Sequence, residues 1–151
     1  MLSNGDAMKK DSFIFGKVIK QMNNRFDHHF NIVLKQWNLT SSQFEVIMYL
    51  LGHQTMEVNQ KQIEDDFKLK SPTVSGIVKR LEEKGFIERH TDQLDRRINH
   101  IKLTEKSKAL EPCLIEEINR VETHALRDIP DDKIELLNEL LNKFMRNITD
   151  F

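Results

Sequence analysis

Residues 71–104, SPTVSGIVKRLEEKGFIERHTDQLDRRINHIKLT, set the reading of the whole chain. Ser71 followed by Pro72 predicts a helix start: serine accepts a bond from a free first-turn amide, and proline there loses no needed donor. Val74, Ile77, Val78 and Leu81 recur at helical spacing and are expected to face the core. Pro72, Ser75, Gly76 and Lys79 follow the same period on another face, and Gly85 supplies the left-handed residue that commonly ends a helix. The pattern then changes. Phe86, Ile87 and Thr91 favour a strand, and Ile98, Ile101 and Leu103 suit a returning one. Between them lies the polar turn Asp92-Gln93-Leu94-Asp95-Arg96-Arg97.

A helix whose first turn is Pro72, Thr73, Ser75 and Gly76 is small and uncharged at its N-terminus. Such an end can approach a duplex closely, and its free amides suit phosphate oxygens. Gly76 has two readings: close backbone approach to DNA, or an exposed position where glycine's cost of roughly 1 kcal/mol is tolerated. Arginine in a slender hairpin can enter a minor groove, where negative potential concentrates. Asp95 is near enough in sequence to pair with an arginine and orient its fork. An isolated Asp-Arg-Arg would read as a solvated tip; after this helix it reads as a wing.

Upstream, Asn59 to Phe67 predicts a short helix, with Asn59 and Gln62 as a loose capping box. Lys68-Leu69-Lys70 leads from it into the Ser71 helix, giving a helix-turn-helix that the hairpin makes winged. Thr40 and Gln43 predict a further capped helix to His53, with Phe44, Ile47, Met48 and Leu51 apolar.

The 151 residues carry a net charge of −1, which argues weakly against nucleic acid until its distribution is considered. Lys68–Thr104 holds nine basic and five acidic residues, a local +4, against −5 for the remainder. Local potential, not total charge, attracts phosphates. Lys79, Arg80, Lys84 and Lys102 are the expected phosphate contacts. Ser71, Thr73, Ser75 and Arg97 are the expected readers of bases or grooves.

Three amphipathic helices flank this unit. Residues 11–37 carry Phe15, Val18, Ile19, Met22, Phe26, Phe30, Val33 and Trp37 at helical spacing. Thr104 is expected to cap a second helix along Leu110, Leu114, Ile118 and Val121, and Pro130 to open a third along Ile134, Leu137, Leu141 and Phe144. Their apolar surface exceeds what a small winged unit can cover, which predicts burial against a second copy. A two-fold dimer would present reading helices about 34–36 Å apart, to successive major grooves. The fold expected is therefore mainly α with a small β-wing. It is a single domain over 1–151: a winged helix-turn-helix unit at 40–104, with N- and C-terminal dimerisation helices at 11–37 and 104–148.

No apolar run is long enough to span a bilayer, and Met1 to Asp11 lacks the apolar core of a secretory signal, so no membrane role and a cytoplasmic location are expected. Cys113 is the single cysteine, excluding an intrachain disulfide, and its place among Leu110, Leu114 and Ile118 predicts burial.

The chain resembles the MarR family of winged-helix transcriptional regulators. Matching residues are Ser71-Pro72-Thr73-Val74-Ser75, Leu81-Glu82-Glu83-Lys84-Gly85-Phe86-Ile87, Asp95-Arg96-Arg97 and Ile101-Lys102-Leu103-Thr104. The resemblance implies an obligate homodimer on a palindromic operator, usually repressing, with a recognition helix over Ser71 to Lys84 and wing contacts through Arg97. It also implies a small aromatic or lipophilic effector between the dimer helices and the winged part. Phe15, Met22, Phe26 and Met48 are candidates to line that cleft, with ordinary core packing as the alternative. Ser107 stands where many members have glycine, and Gly76 where some carry a longer, base-contacting side chain. Peroxide-sensing members carry a cysteine near the start of the first helix, and zinc-sensing members a Glu-His where Gln43-Phe44 stands.

Two further readings use the same fold. A metal sensor would draw on His28, His29 and His124, but adjacent helical histidines point about 100° apart and do not converge. A redox sensor would need Cys113 as an accessible thiolate. A winged helix used for protein contact without DNA is the third reading, opposed by the charge segregation. The sequence holds no phosphate-cradling glycine loop, nucleophile elbow or HExxH motif, so neither an enzyme nor a cofactor is expected.

Overall fold

The computed structural model describes the backbone of residues 5–149 and the side chains of residues 15–149. The chain divides into two compact units, Met1–Glu111 and Pro112–Phe151. The first holds α1 (Gly5–Leu34), a 3-10 turn (Lys35–Trp37), α2 (Ser41–Gly52), β1 (Val58–Asn59), α3 (Gln60–Phe67), α4 (Ser71–Glu83), β2 (Ile87–Thr91), β3 (Asn99–Leu103) and the first turns of α5 (Glu105–Ala125). The second holds the remainder of α5 and α6 (Asp131–Thr149). The expected mainly α fold with a small β-wing is the fold observed.

Both predicted capping boxes form. Thr40 Oγ1 accepts from the Gln43 amide while Gln43 Oε1 accepts from the Thr40 amide, and Asn59 and Gln62 make the same reciprocal pair. The predicted cap of α4 does not form. Lys70 is its N-cap, without a side-chain bond, and Ser71 is already helical. Proline one position later still fits, because first-turn amides have no intrahelical partner. The other end follows the sequence. Gly85 adopts φ +73°, the Phe86 amide reaches the Leu81 carbonyl and the Gly85 amide reaches that of Glu82. This double bond pattern seals a helix over a left-handed glycine.

The three strands are antiparallel in the order β1-β3-β2. The short β1 was not foreseen; it pairs Val58 with Ile101 and Asn59 with His100. Ile87, Ile101 and Leu103 turn inward to a core that includes Phe44, Ile47, Ile63, Val74, Val78, Leu81 and Phe86. The first two turns of α4 thus bury one apolar stripe and leave the opposite face to solvent.

α1 docks on α2 through Phe30 stacked on Phe44, with centroids 5.3 Å apart, and through Asn31, whose Oδ1 accepts from the Ser41 amide at 2.9 Å. Thr104 does not cap α5 with its side chain as expected: its hydroxyl donates to the Gly85 carbonyl at 2.7 Å, and its own carbonyl begins the helix by accepting the Ser107 and Lys108 amides. Ser107 is fully buried and donates its hydroxyl to the Phe86 carbonyl.

Cys113 is exposed, contrary to expectation, whereas its neighbour Leu114 is fully buried. A one-residue step rotates a helical position by about 100°, enough to separate the two. Pro112 lies inside α5 and removes the amide that would bond to the Lys108 carbonyl. In α6 the apolar stripe is present but mostly exposed, including Leu137, Leu140, Leu141, Phe144 and Ile148. Among the described residues no helix is long and apolar enough to cross a membrane.

Candidate nucleic-acid interface

Two surfaces carry the sequence-predicted residues. The first is the start of α4, where Ser71, Pro72, Thr73 and Ser75 are exposed and Gly76 is half-buried. Nothing lies within 4 Å of where a Gly76 Cβ would stand, so no protein neighbour requires glycine there. The Glu64 carboxyl of α3 is held below its ordinary value, first by the Gln60 amide and then by the Ser71 hydroxyl. Lys79 and Arg80 are exposed one turn further on, Lys79 at a loose 3.9 Å from Glu83.

Lys84 departs from its predicted role. Its ammonium donates to the Asn38 carbonyl at 2.5 Å and to Gln43 Oε1 at 2.9 Å, so it tethers the end of α4 to the start of α2. Two of its three donors are therefore taken up within the protein.

The second surface is the wing, the turn of residues 92–98 between β2 and β3. Asp92 Oδ1 accepts the Leu94 and Asp95 amides at 2.7 and 2.8 Å, and Asp95 Oδ1 accepts the Arg97 amide at 3.0 Å. Aspartate holding a backbone two residues on is a local turn device. Asp95 therefore fixes the backbone of the arginine pair and not, as expected, a guanidinium fork. Arg96 and Arg97 are both exposed. The Asp92 carboxyl is held down to about 2, chiefly by its hydrogen bond with His100 and then by the two turn amides.

Arg97 also lines a cavity of about 370 Å³ with Asn59, Lys61, Arg89 and Ile101, which brings the base of the wing beside the start of α3. Arg89 bonds to Glu82 of α4 at 3.1 Å, so β2 and α4 are tied by an ion pair that sequence reasoning missed. Lys102 is exposed on β3.

The four candidate effector residues are not gathered in that cavity. Phe15 and Met22 are exposed on α1, while Phe26 on α1 and Met48 on α2 are half-buried. His28 and His29 are exposed on α1 and His124 on α5. Uncharged helix tip, ordered arginine turn and flanking cations together can accept phosphate oxygens and enter a groove.

The MarR family model matches residues 37–98, the span from the 3-10 turn to the end of the wing. The HTH-type transcriptional regulator MgrA of Staphylococcus aureus is 33% identical over 116 residues, covering 77% of this chain and 76% of its own. The crystal structure of the transcriptional regulator SlyA superposes with a TM-score of 0.82 at 26% identity, over 90% of this chain and 94% of that one. The Staphylococcus aureus MepR–DNA complex shares the fold, with a TM-score of 0.82 at 22% identity over 89% of this chain and 97% of that one. Fold, matched span and overall identity agree: this chain belongs to the MarR family of winged-helix transcriptional regulators.

Proposed function

We propose that the protein is a homodimeric repressor that binds a palindromic operator and releases it when a small aromatic or lipophilic ligand binds. The observation that carries the reading is the exposed, uncharged start of α4 together with an arginine turn whose backbone Asp92 and Asp95 hold in place. Ser71, Pro72, Thr73, Ser75 and Gly76 approach the major groove, Lys79 and Arg80 meet phosphates, and Arg96 and Arg97 enter the minor groove.

Pairing of two chains is supported by exposed apolar side chains on the flanking helices, among them Phe15, Ile19 and Met22 of α1 and Leu140, Leu141 and Phe144 of α6. Removing their remaining exposed apolar area from water contributes about 25 cal/mol per Å², a drive to association when the stripes are joined. The reading unit is 40–104 and the pairing helices are 11–37 and 104–148, acting together as one domain in the cytoplasm. Phe15, Met22, Phe26 and Met48 are the candidate effector contacts.

Sedimentation at micromolar protein, followed by selection from random duplexes, tests the proposal. The expected result is a dimer that enriches a two-fold symmetric site with half-sites about 10–10.5 base pairs apart. A monomer that ignores duplexes even in dilute buffer overturns it. A reporter behind the selected site separates repression from activation, and phenolic and cationic compounds that release the DNA identify the effector class.

A further inference from the structure

Three donors from separate stretches of chain meet at the foot of the wing. His100 Nε2 lies 2.9 Å from Asp92 Oδ2 and 3.4 Å from Glu57 Oε2, and one donor atom of each residue lies within 4.8 Å of the other two. The His100 side chain is only 12% exposed, Asp92 23% and Glu57 64%. The sheet order produces this meeting. β3 is central, so His100 has Asn59 opposite it on one side and His90 on the other. Directly opposed residues of antiparallel strands project from the same face. The three donors line a cavity of about 390 Å³, and exposed His90 lines it too.

Two carboxylates converge on a nitrogen that can offer a single proton. The other ring nitrogen, Nδ1, is buried without a hydrogen-bond partner among the described residues. We propose that Glu57, Asp92 and His100 form a binding site for a divalent first-row transition ion, taken up by His100 Nε2 and one oxygen of each carboxylate. One imidazole nitrogen and two carboxylate oxygens are an open donor set suited to Zn²⁺ or Mn²⁺, with remaining positions left to water, since His90 Nε2 is taken by Glu88 at 2.8 Å.

Metal on Nε2 displaces the ring proton to Nδ1, which has no acceptor. Losing that outer partner weakens a metal site by about 10-fold to 100-fold, so micromolar and not nanomolar affinity is expected. The ion would act on the wing directly. Asp92 Oδ1 holds the Leu94 and Asp95 amides, so an ion on Oδ2 joins the arginine turn to the segment that begins β1. That regulatory consequence rests on the proposed DNA reading; the site itself does not.

Zn²⁺ is titrated calorimetrically, without DNA, into the full chain after chelator treatment. Glu57→Gln, His100→Gln and a His28→Ala/His29→Ala pair are titrated alongside, with circular dichroism as the check on folding. The expected result is one ion per chain at micromolar affinity, weakened at least about 10-fold by either single change and unaltered by the pair. Wild-type chain that takes up no Zn²⁺ below millimolar concentration overturns the site. Unchanged uptake by His100→Gln does the same. Should His100→Gln misfold, exposed Glu57→Gln decides alone. Anisotropy on an operator with and without Zn²⁺ is a separate reading: bound ion with unaltered DNA affinity removes the wing clamp and leaves the site, whereas failure to bind DNA leaves the calorimetry untouched.

Discussion

Lys84 and Gln43 stand 41 residues apart and are joined by a 2.9 Å hydrogen bond. Gln43 also completes the capping box of α2, and Lys84 closes α4. One amide therefore couples the start of α2 to the end of α4. Lys84→Met keeps the aliphatic stem and removes the charge. It should lower stability by about 1.5–3 kcal/mol, the range for hydrogen bonds to a charged group. Thermal melting reads the loss. Operator affinity per folded molecule should barely move, since the ammonium is already engaged; a large loss of affinity with unchanged melting would restore Lys84 to the phosphate contacts.

Arg97→Ala should weaken operator binding by about 1–3 kcal/mol, on the order of 10-fold to 100-fold, while helix content and self-association persist. Asp95→Ala should act in the same direction but less strongly, because it loosens the Arg97 backbone without removing its charge. Fluorescence anisotropy at two salt concentrations checks both. Equal affinity of Arg97→Ala and wild type would take the wing out of the mechanism.

Gly76→Ala separates stability from recognition. A methyl group at this position meets nothing within 4 Å, and alanine is the better helix former by about 1 kcal/mol. The variant should melt higher and bind its operator more weakly, since the added methyl stands on the face proposed to meet DNA. Higher melting with unchanged binding would make Gly76 a tolerated surface glycine.

Tyr49 is the only tyrosine, so phenolate absorbance reads it alone. Its hydrogen bond to Asp66, then burial, then the Asp66 charge push the phenol up to about 12 from an ordinary 10.0. The folded chain holds this proton more tightly than the unfolded chain. The stabilising contribution is therefore complete below pH 10.0 and is lost as pH rises through about 12. Asp66→Asn should return the midpoint toward the ordinary value. A wild-type midpoint at that value would mean the Tyr49–Asp66 bond is not made in solution.

Local signals in the sequence were read correctly where the chemistry is local. The Thr40–Gln43 and Asn59–Gln62 boxes and the Gly85 stop each depend on residues within a few positions, and each is found. Ser71 failed as a cap because α4 starts one residue earlier than expected: Lys70 takes the N-cap position and Ser71 is already helical. Asp95 was assigned to a side-chain pair, whereas the tight turn offers it a nearer backbone amide. In the sequence Lys84 reads as a phosphate contact and Arg89 is not singled out; their partners Gln43, Asn38 and Glu82 are set by tertiary packing. The meeting of Glu57, Asp92 and His100 depends on the strand order, which no local pattern prints, and on a two-residue β1 too short for periodicity to reveal.

Asn59 belongs to two elements at once. It is the last residue of β1, paired across the ladder with His100, and it is the N-cap of α3, whose first turn it closes through Gln62. No linker separates the hairpin from the helical pair at this junction, so neither can swivel without breaking a ladder pair or a cap. On the proposed DNA reading, the duplex rather than the protein would adjust, and selectivity among targets would follow how cheaply each stretch of DNA bends to a template of fixed dimensions.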